Sequence, residues 1–164
     1  HNTYIYIILH SWLLIYSHKV YKKGHFMIRI GLLLIDNFAL MSYSSVIEPL
    51  RAANLLSEKK LYSISNFSSR NISTSSSGTK VDTIIIGNEK EKLDIIFVCA
   101  GGDPFSYNNS KVFDWLRKKS REGSSLGGVS GGPVIIAKAG LMRGKRMTLH
   151  WDCLLYTSDA ADDS

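Results

Sequence analysis

Two stretches of the sequence, residues 28–35 and 93–100, are apolar along almost their whole length instead of at alternate positions. A strand of that kind has to be covered on both faces, as happens in parallel sheets sandwiched between helices. Between and after them the period changes. Val46, Leu50 and Ala53 recur at helical spacing, with Ser45 and Glu48 placed as a capping box and Pro49 within the first turn. Residues 110–122 form a second helical pattern that buries Val112, Phe113 and Leu116 and stops at Gly123. It sets Arg117, Lys118, Lys119 and Arg121 on an exposed face near the C-terminus, where the helix dipole favours them. A third pattern begins near Pro133 and ends before Gly140, with proline at the start and glycine past the end. Shorter runs at 61–67, 84–87, 126–129 and 147–150 read as further strands, and the Ser-, Asn- and Thr-rich residues 68–78 as loop or sheet edge. This alternation predicts right-handed crossovers and an α/β, doubly wound, mostly parallel open sheet, with ligands bound at the carboxyl ends of the strands.

Composition narrows the class further. Hydrophobic residues make up 45% of the 164 and charged residues 21%, with three prolines, a balance that supports one globular domain and excludes a disordered chain. A chain of this size buries roughly 70% of its unfolded surface, so its core needs neither metal nor disulfide. Cys99 and Cys153 fit no metal spacing, and Cys99, inside an apolar run, reads as a buried inert thiol. The net charge is +6, and the basic cluster of the second helix reads as a solvated face in preference to a nucleic-acid surface. The opening apolar residues 4–17 are interrupted by His10 and followed, not preceded, by Lys19, Lys22 and Lys23, unlike a signal peptide. They also fall short of the roughly 20 residues that a spanning helix needs. Residues 1–26, ahead of Met27, read as upstream sequence outside the domain. A cytoplasmic location without membrane association is the corresponding expectation.

Chemistry-bearing residues gather where strands give way to turns. Gly128-Val129-Ser130-Gly131-Gly132 fits G-x-S-x-G between strand and helix, where a sharp turn lifts a nucleophile above the sheet. Small residues let the turn close, and the N–H groups near Gly101 and Gly131 are candidates for holding an oxyanion. The plainer reading is that Ser130 caps a tight turn or hydrogen-bonds a ligand. His150, at the end of the last strand, is placed as a base, a hydrogen-bond partner or a structural histidine. A serine hydrolase of the α/β kind needs its acid and histidine on further strands, and only Asp152 follows. Gly101, Gly102 and Asp103 after the strongest strand, and Ser42 after the first, complete the candidate set; Glu48 reads as a capping residue and Asp36 as a strand-end turn residue. Nothing in the sequence has the pattern of paired carboxylates, a metal cluster, an internal repeat or a dinucleotide fingerprint, and no metal or cofactor is expected.

Several runs together carry a resemblance. They are residues 30–36 with Phe38, Val46-Ile47-Glu48-Pro49-Leu50-Arg51-Ala52-Ala53-Asn54, Cys99-Ala100-Gly101-Gly102, Leu126-Gly127-Gly128-Val129-Ser130-Gly131-Gly132, Ala139-Gly140-Leu141 and Thr148-Leu149-His150-Trp151. Through them residues 27–152 resemble the sensor domain of AraC-type transcriptional regulators of the GlxA kind, within the PfpI, class I glutamine-amidotransferase-like superfamily. The resemblance implies a flavodoxin-like fold, and the Glu-Pro-Leu-Arg-Ala-Ala-Asn run is similar to regulators of choline, glycine betaine, carnitine and arginine catabolism. Catalytic members of the superfamily carry a cysteine where this chain has Ser130, and a glutamate in the first strand-to-helix connection where it has Ser42.

The resemblance therefore implies a non-catalytic crevice that binds a small-molecule effector, with Ser42, Gly101, Gly102, Asp103, Ser130, Gly131 and His150 as ligand-binding residues. A PfpI-like hydrolase, glyoxalase or deglycase using Ser130, with His150, is the alternative. It further implies a homodimer as one arrangement, and DNA binding only through a C-terminal helix-turn-helix domain for which this chain has no room. The family pattern stops after Asp152, and residues 153–164 read as an artefactual tail, so the domain is expected to be incomplete at that end.

Overall fold

The computed structural model describes residues 27–57 and 60–143. In chain order the elements are β1 (Ile28–Leu34), α1 (Leu40–Leu56), β2 (Tyr62–Ser68), β3 (Ile72–Thr74), β4 (Lys80–Asp82), β5 (Ile84–Ile85), β6 (Ile95–Ala100), α2 (Ser110–Arg121), β7 (Ser125–Ser130) and α3 (Gly132–Lys138). Five strands pair in parallel in the order β5-β2-β1-β6-β7, as the apolar runs predict. β3 and β4 form a separate antiparallel ribbon in the Ser- and Thr-rich stretch. The predicted strand at 147–150 and the segments 1–26 and 153–164 lie outside the described residues.

Side-chain alternation along β1 and β6 divides the core into two layers. Ile30, Leu32 and Leu34, with Phe97, Cys99 and Val129, face Tyr43, Val46 and Leu50 of α1. Leu33 and Ile35, with Ile96, Val98 and Ala100, face Val112, Phe113 and Leu116 of α2 and Ile135 and Ile136 of α3. Both sides of the central strands are thus dry, which is why these runs lack polar alternation. Truncating a fully buried side chain such as Leu33 or Ile135 to alanine costs about 2–5 kcal/mol.

Two local expectations are corrected. The first helix begins at Leu40, so Ser45 and Glu48 lie inside it and form no capping box. Ser45 Oγ donates backwards to the Ser42 carbonyl (2.8 Å), and Glu48 pairs with Arg51 on the exposed face (2.8 Å). Packing of Tyr43 against Phe38 extends the helix upstream of the S-x-x-E signature and leaves Pro49 in its middle, on the exposed side. At its other end Asn54 staples α1 to β2: Oδ1 accepts from the Leu61 and Tyr62 N–H groups (both 2.9 Å), and Nδ2 donates to the Tyr62 carbonyl (2.8 Å).

The second correction concerns the basic cluster of α2. Val112, Leu116 and Lys119 follow one another at helical spacing, and Lys119 is accordingly buried with them. Its ammonium group is paired with Glu89 at 2.6 Å and Glu122 at 2.8 Å. Glu89 also accepts from Trp115 Nε1 (3.2 Å) and the Gly87 N–H (2.7 Å). Burial pushes the Glu89 carboxyl up, but the hydrogen bonds from Lys119, Trp115 and backbone N–H groups outweigh it and hold the group below its ordinary value. Burial likewise opposes the charge on Lys119, and its two carboxylate partners outweigh that and raise it.

Candidate functional site

From β1 the chain goes to β2 on one side and later to β6 on the other, so the winding reverses between β1 and β6. At such a switch point the turns leaving the two strands diverge and open a crevice at their carboxyl ends. A cleft of about 300 Å³ lies there, walled by Asp36 and Asn37 after β1 and by Gly101, Gly102, Asp103 and Tyr107 after β6. A second hollow of about 240 Å³ adjoins it and shares Ile35, Asp36 and Tyr107; Leu34, Ser68, Ser69, Arg70 and Asn109 complete its wall.

Local conformation explains how these turns stand where they do. Asn37 has φ of +66°, a left-handed conformation that asparagine tolerates, and it turns the chain from β1 towards α1. Gly101 abuts that turn: a Cβ there would run into the Asn37 carbonyl oxygen. The next turn is closed by Asp103, whose Oδ1 accepts from the N–H groups of Phe105 (3.0 Å) and Ser106 (3.3 Å). Lys138 Nζ donates to the Phe105 carbonyl and fixes the loop to α3. Burial pushes the Tyr107 hydroxyl up to about 12, so that group remains a neutral donor at physiological pH. Asp36 is one half of an ion pair beside the cleft, since its carboxylate is paired with the Arg70 guanidinium.

The turn after β7 is different. Ser130 lies opposite Ala100 in the sheet register, has φ of +54° and is half-buried, the strained geometry of an elbow. Holding a non-glycine residue there costs roughly 1–3 kcal/mol. The flanking glycines allow it: a Cβ on Gly132 would strike the Val98 carbonyl, and one on Gly128 would strike the Pro133 nitrogen. The Gly131 N–H donates to the Ala100 carbonyl (3.0 Å), so it is not free for an oxyanion, contrary to the sequence expectation. Among the described residues no base is hydrogen-bonded to Ser130.

The predicted residues therefore divide. Gly101, Gly102 and Asp103 line the switch-point cleft, whereas Ser130 and Gly131 are not among its walls. Ser42 lies in the first turn of α1, not in the connection before it, and is buried there. His150 lies outside the described residues. Cys99 is buried, and burial pushes its thiol up to about 12, as an inert cysteine requires. No group of His, Cys, Asp and Glu that could hold a metal occurs among the described residues, and no helix among them is long and apolar enough to cross a membrane. Arg70 and Tyr107 carry no local signal in the sequence, where Asp36 reads as a turn residue only. An acidic residue just past an almost wholly apolar strand was the one available signal.

A parallel α/β sheet with a strained serine elbow beside a switch-point cleft defines a class of fold shared by enzymes and binding domains. Residues 28–162 match the DJ-1/PfpI family, and the chain belongs to it. It is 44% identical over 126 residues to the HTH-type transcriptional regulator GlxA of Rhizobium meliloti (strain 1021), a match that takes in 76% of this chain and 39% of the regulator. It is 37% identical over 123 residues to the HTH-type transcriptional regulator CdhR of Pseudomonas aeruginosa, covering 74% of this chain and 36% of that protein. The chain thus spans less than two fifths of the length of these curated relatives. Among solved structures, an AraC family transcriptional regulator from Pseudomonas putida shares the fold with a TM-score of 0.66 at 22% identity, over 75% of this chain and 66% of that one.

Proposed function

We propose that this domain binds a small zwitterionic or cationic metabolite in the switch-point cleft and acts as the non-catalytic sensor of an AraC-type transcriptional regulator. The ligand class is that of choline, glycine betaine, carnitine and arginine. One observation carries the reading: the open volume between β1 and β6 is walled by Asp36, Asp103 and, in the adjoining hollow, Arg70, while Ser130 stands off its walls. A cationic head would sit between the two carboxylates and against the Tyr107 ring, and a ligand carboxylate would reach Arg70. Gly101 and Gly102 would let such a ligand approach the backbone. Similarity to the regulators GlxA and CdhR supports an output through a DNA-binding partner domain, for which the ligand must bind two states of the protein differently.

Calorimetric titration of the chain with choline, glycine betaine, carnitine and arginine tests the proposal. At least one should bind, and Asp103→Asn should weaken it by about tenfold or more, the loss expected for a charge-assisted contact. Absence of heat with all four on a folded sample contradicts it. The strained φ of Ser130 favours a second reading, acyl-transfer or glyoxalase-type chemistry at the elbow. Turnover of such substrates that disappears in Ser130→Ala would establish that reading in its place.

A further inference from the structure

The β3–β4 ribbon meets the cleft at the turn after β1, whose one carboxylate faces both, and we propose that Asp36 is a latch through which ligand occupancy reaches the ribbon. This inference rests on the cleft being the ligand site. Oδ1 of Asp36 accepts from Ser73 Oγ and from the Thr74 N–H, both at 3.0 Å, and Oδ2 is paired with Arg70. The three partners run from the turn after β2 to the end of β3. The same residue lines both the cleft and the adjoining hollow.

A two-stranded ribbon with three-residue strands has little stability of its own, so its order depends on what it docks against. Here that is the turn after β1, together with the α1 side of the core, against which Val81 of β4 packs. Besides the Asp36 contacts, the Asn37 N–H donates to the Thr74 carbonyl (2.8 Å), the Ser76 N–H donates to the Phe38 carbonyl (2.9 Å), and Phe38 bridges Ser75. The Arg70 side chain is largely exposed, and an ion pair so exposed is weak. A ligand cation would displace it from Asp36 at small cost. That cation then draws on the carboxylate charge that strengthens the hydrogen bonds from Ser73 and Thr74.

The backbone of Arg70 is fixed independently, since its N–H donates to Ser68 Oγ (3.0 Å) and its carbonyl accepts from Thr83 Oγ1 (2.7 Å). What yields is therefore the Arg70 side chain and the docking of β3, not the turn between β2 and β3. The ribbon carries Ile72, Lys80 and Asp82 exposed to solvent, so a change in its order alters a surface that a neighbouring domain would read.

Amide hydrogen exchange on the whole chain tests the latch. In Asp36→Ala, which removes the acceptor of Ser73 and Thr74, with no ligand present, exchange at Thr74 and Ser76 should rise by about tenfold or more while Ile96 and Val98 in β6 stay unchanged, as local release of a docked segment requires. Arg70→Gln, which removes only the exposed arm, should raise it by about two- to threefold and keeps the test alive if Asp36→Ala does not fold. Unchanged exchange at Thr74 and Ser76 in the folded variants overturns the latch. Glycine betaine in large excess is the ligand probe: binding heat accompanied by altered exchange at Thr74 supports the coupling, and binding heat without it overturns the coupling. No heat contradicts this ligand for the cleft, and the two variants then decide the latch by themselves.

Discussion

The elbow after β7 and the cleft between β1 and β6 both lie at the carboxyl ends of the strands, on either side of β6, and they are built in opposite ways. In the elbow the backbone closes on itself: Gly128 and Gly132 are pressed against Pro133 and Val98, and the Gly131 N–H is already committed. At the switch point one glycine abuts the neighbouring turn, and the chain beyond it diverges to leave open volume beside Asp36, Asp103 and Tyr107. A turn packed against backbone positions a single side chain. A turn held apart makes room for another molecule. Among the described residues the two features do not coincide, and that separation underlies the assignment of binding to the cleft.

The largest expected effect falls on neither turn but on the α2 side of the core, and it tests whether the carboxyl-end turns are peripheral to stability. Lys119→Ala leaves Glu89 buried without its cation and should destabilise the fold by about 3–5 kcal/mol in urea unfolding. The pair also sets a pH window. Glu89 lies below its ordinary 4.5 in the folded state, so its contribution is present above that value and is lost as pH falls through the folded one. Lys119 lies above its ordinary 10.5, so its contribution is present below that value and is lost as pH rises through the folded one. Stability should therefore decline at both extremes, and Glu89→Gln should flatten the acid limb.

Next in size is a contrast between glycines. Gly132→Ala drives a Cβ into the Val98 carbonyl, where only backbone can yield, and should cost about 3 kcal/mol. Gly102→Ala meets nothing nearer than Asn37 at 4.0 Å and should cost about 1 kcal/mol, from the left-handed φ alone. Equal losses would erase the distinction between a closed turn and an open one. Ligand affinity sharpens the same contrast: Asp103→Asn should weaken an amine ligand by about tenfold and Ser130→Ala by less than about threefold. The smallest effect has the opposite sign. Ser130→Gly relieves the elbow and should stabilise the protein by about 0.5–1 kcal/mol, whereas a destabilised variant would mean that the Ser130 side chain makes a contact worth more than its strain.

The central strands, α2 and the glycine-flanked elbow were legible in the sequence because each rests on a local period or a short motif. The start of α1 was not, because Ser45 and Glu48 spell a capping box while the packing of Tyr43 on Phe38 decides where the helix begins. Lys119 followed the burial period of Val112 and Leu116, but a lysine at that position becomes credible only once Glu89, far away in sequence, is seen beside it. β3 and β4 are too short to leave a periodic trace. The roles of Asp36 and Arg70 depend on contacts between the turn after β1 and the segment after β2, which no single stretch of sequence contains.

The most direct measurement is amide chemical-shift mapping of the chain titrated with choline, glycine betaine, carnitine and arginine. A ligand bound in the cleft should shift Asp36, Asn37, Gly101–Asp103 and Tyr107 most strongly and leave Gly128–Gly132 nearly unmoved. Shifts concentrated at Ser130 and Gly131, with the switch-point turns silent, would contradict binding in the cleft.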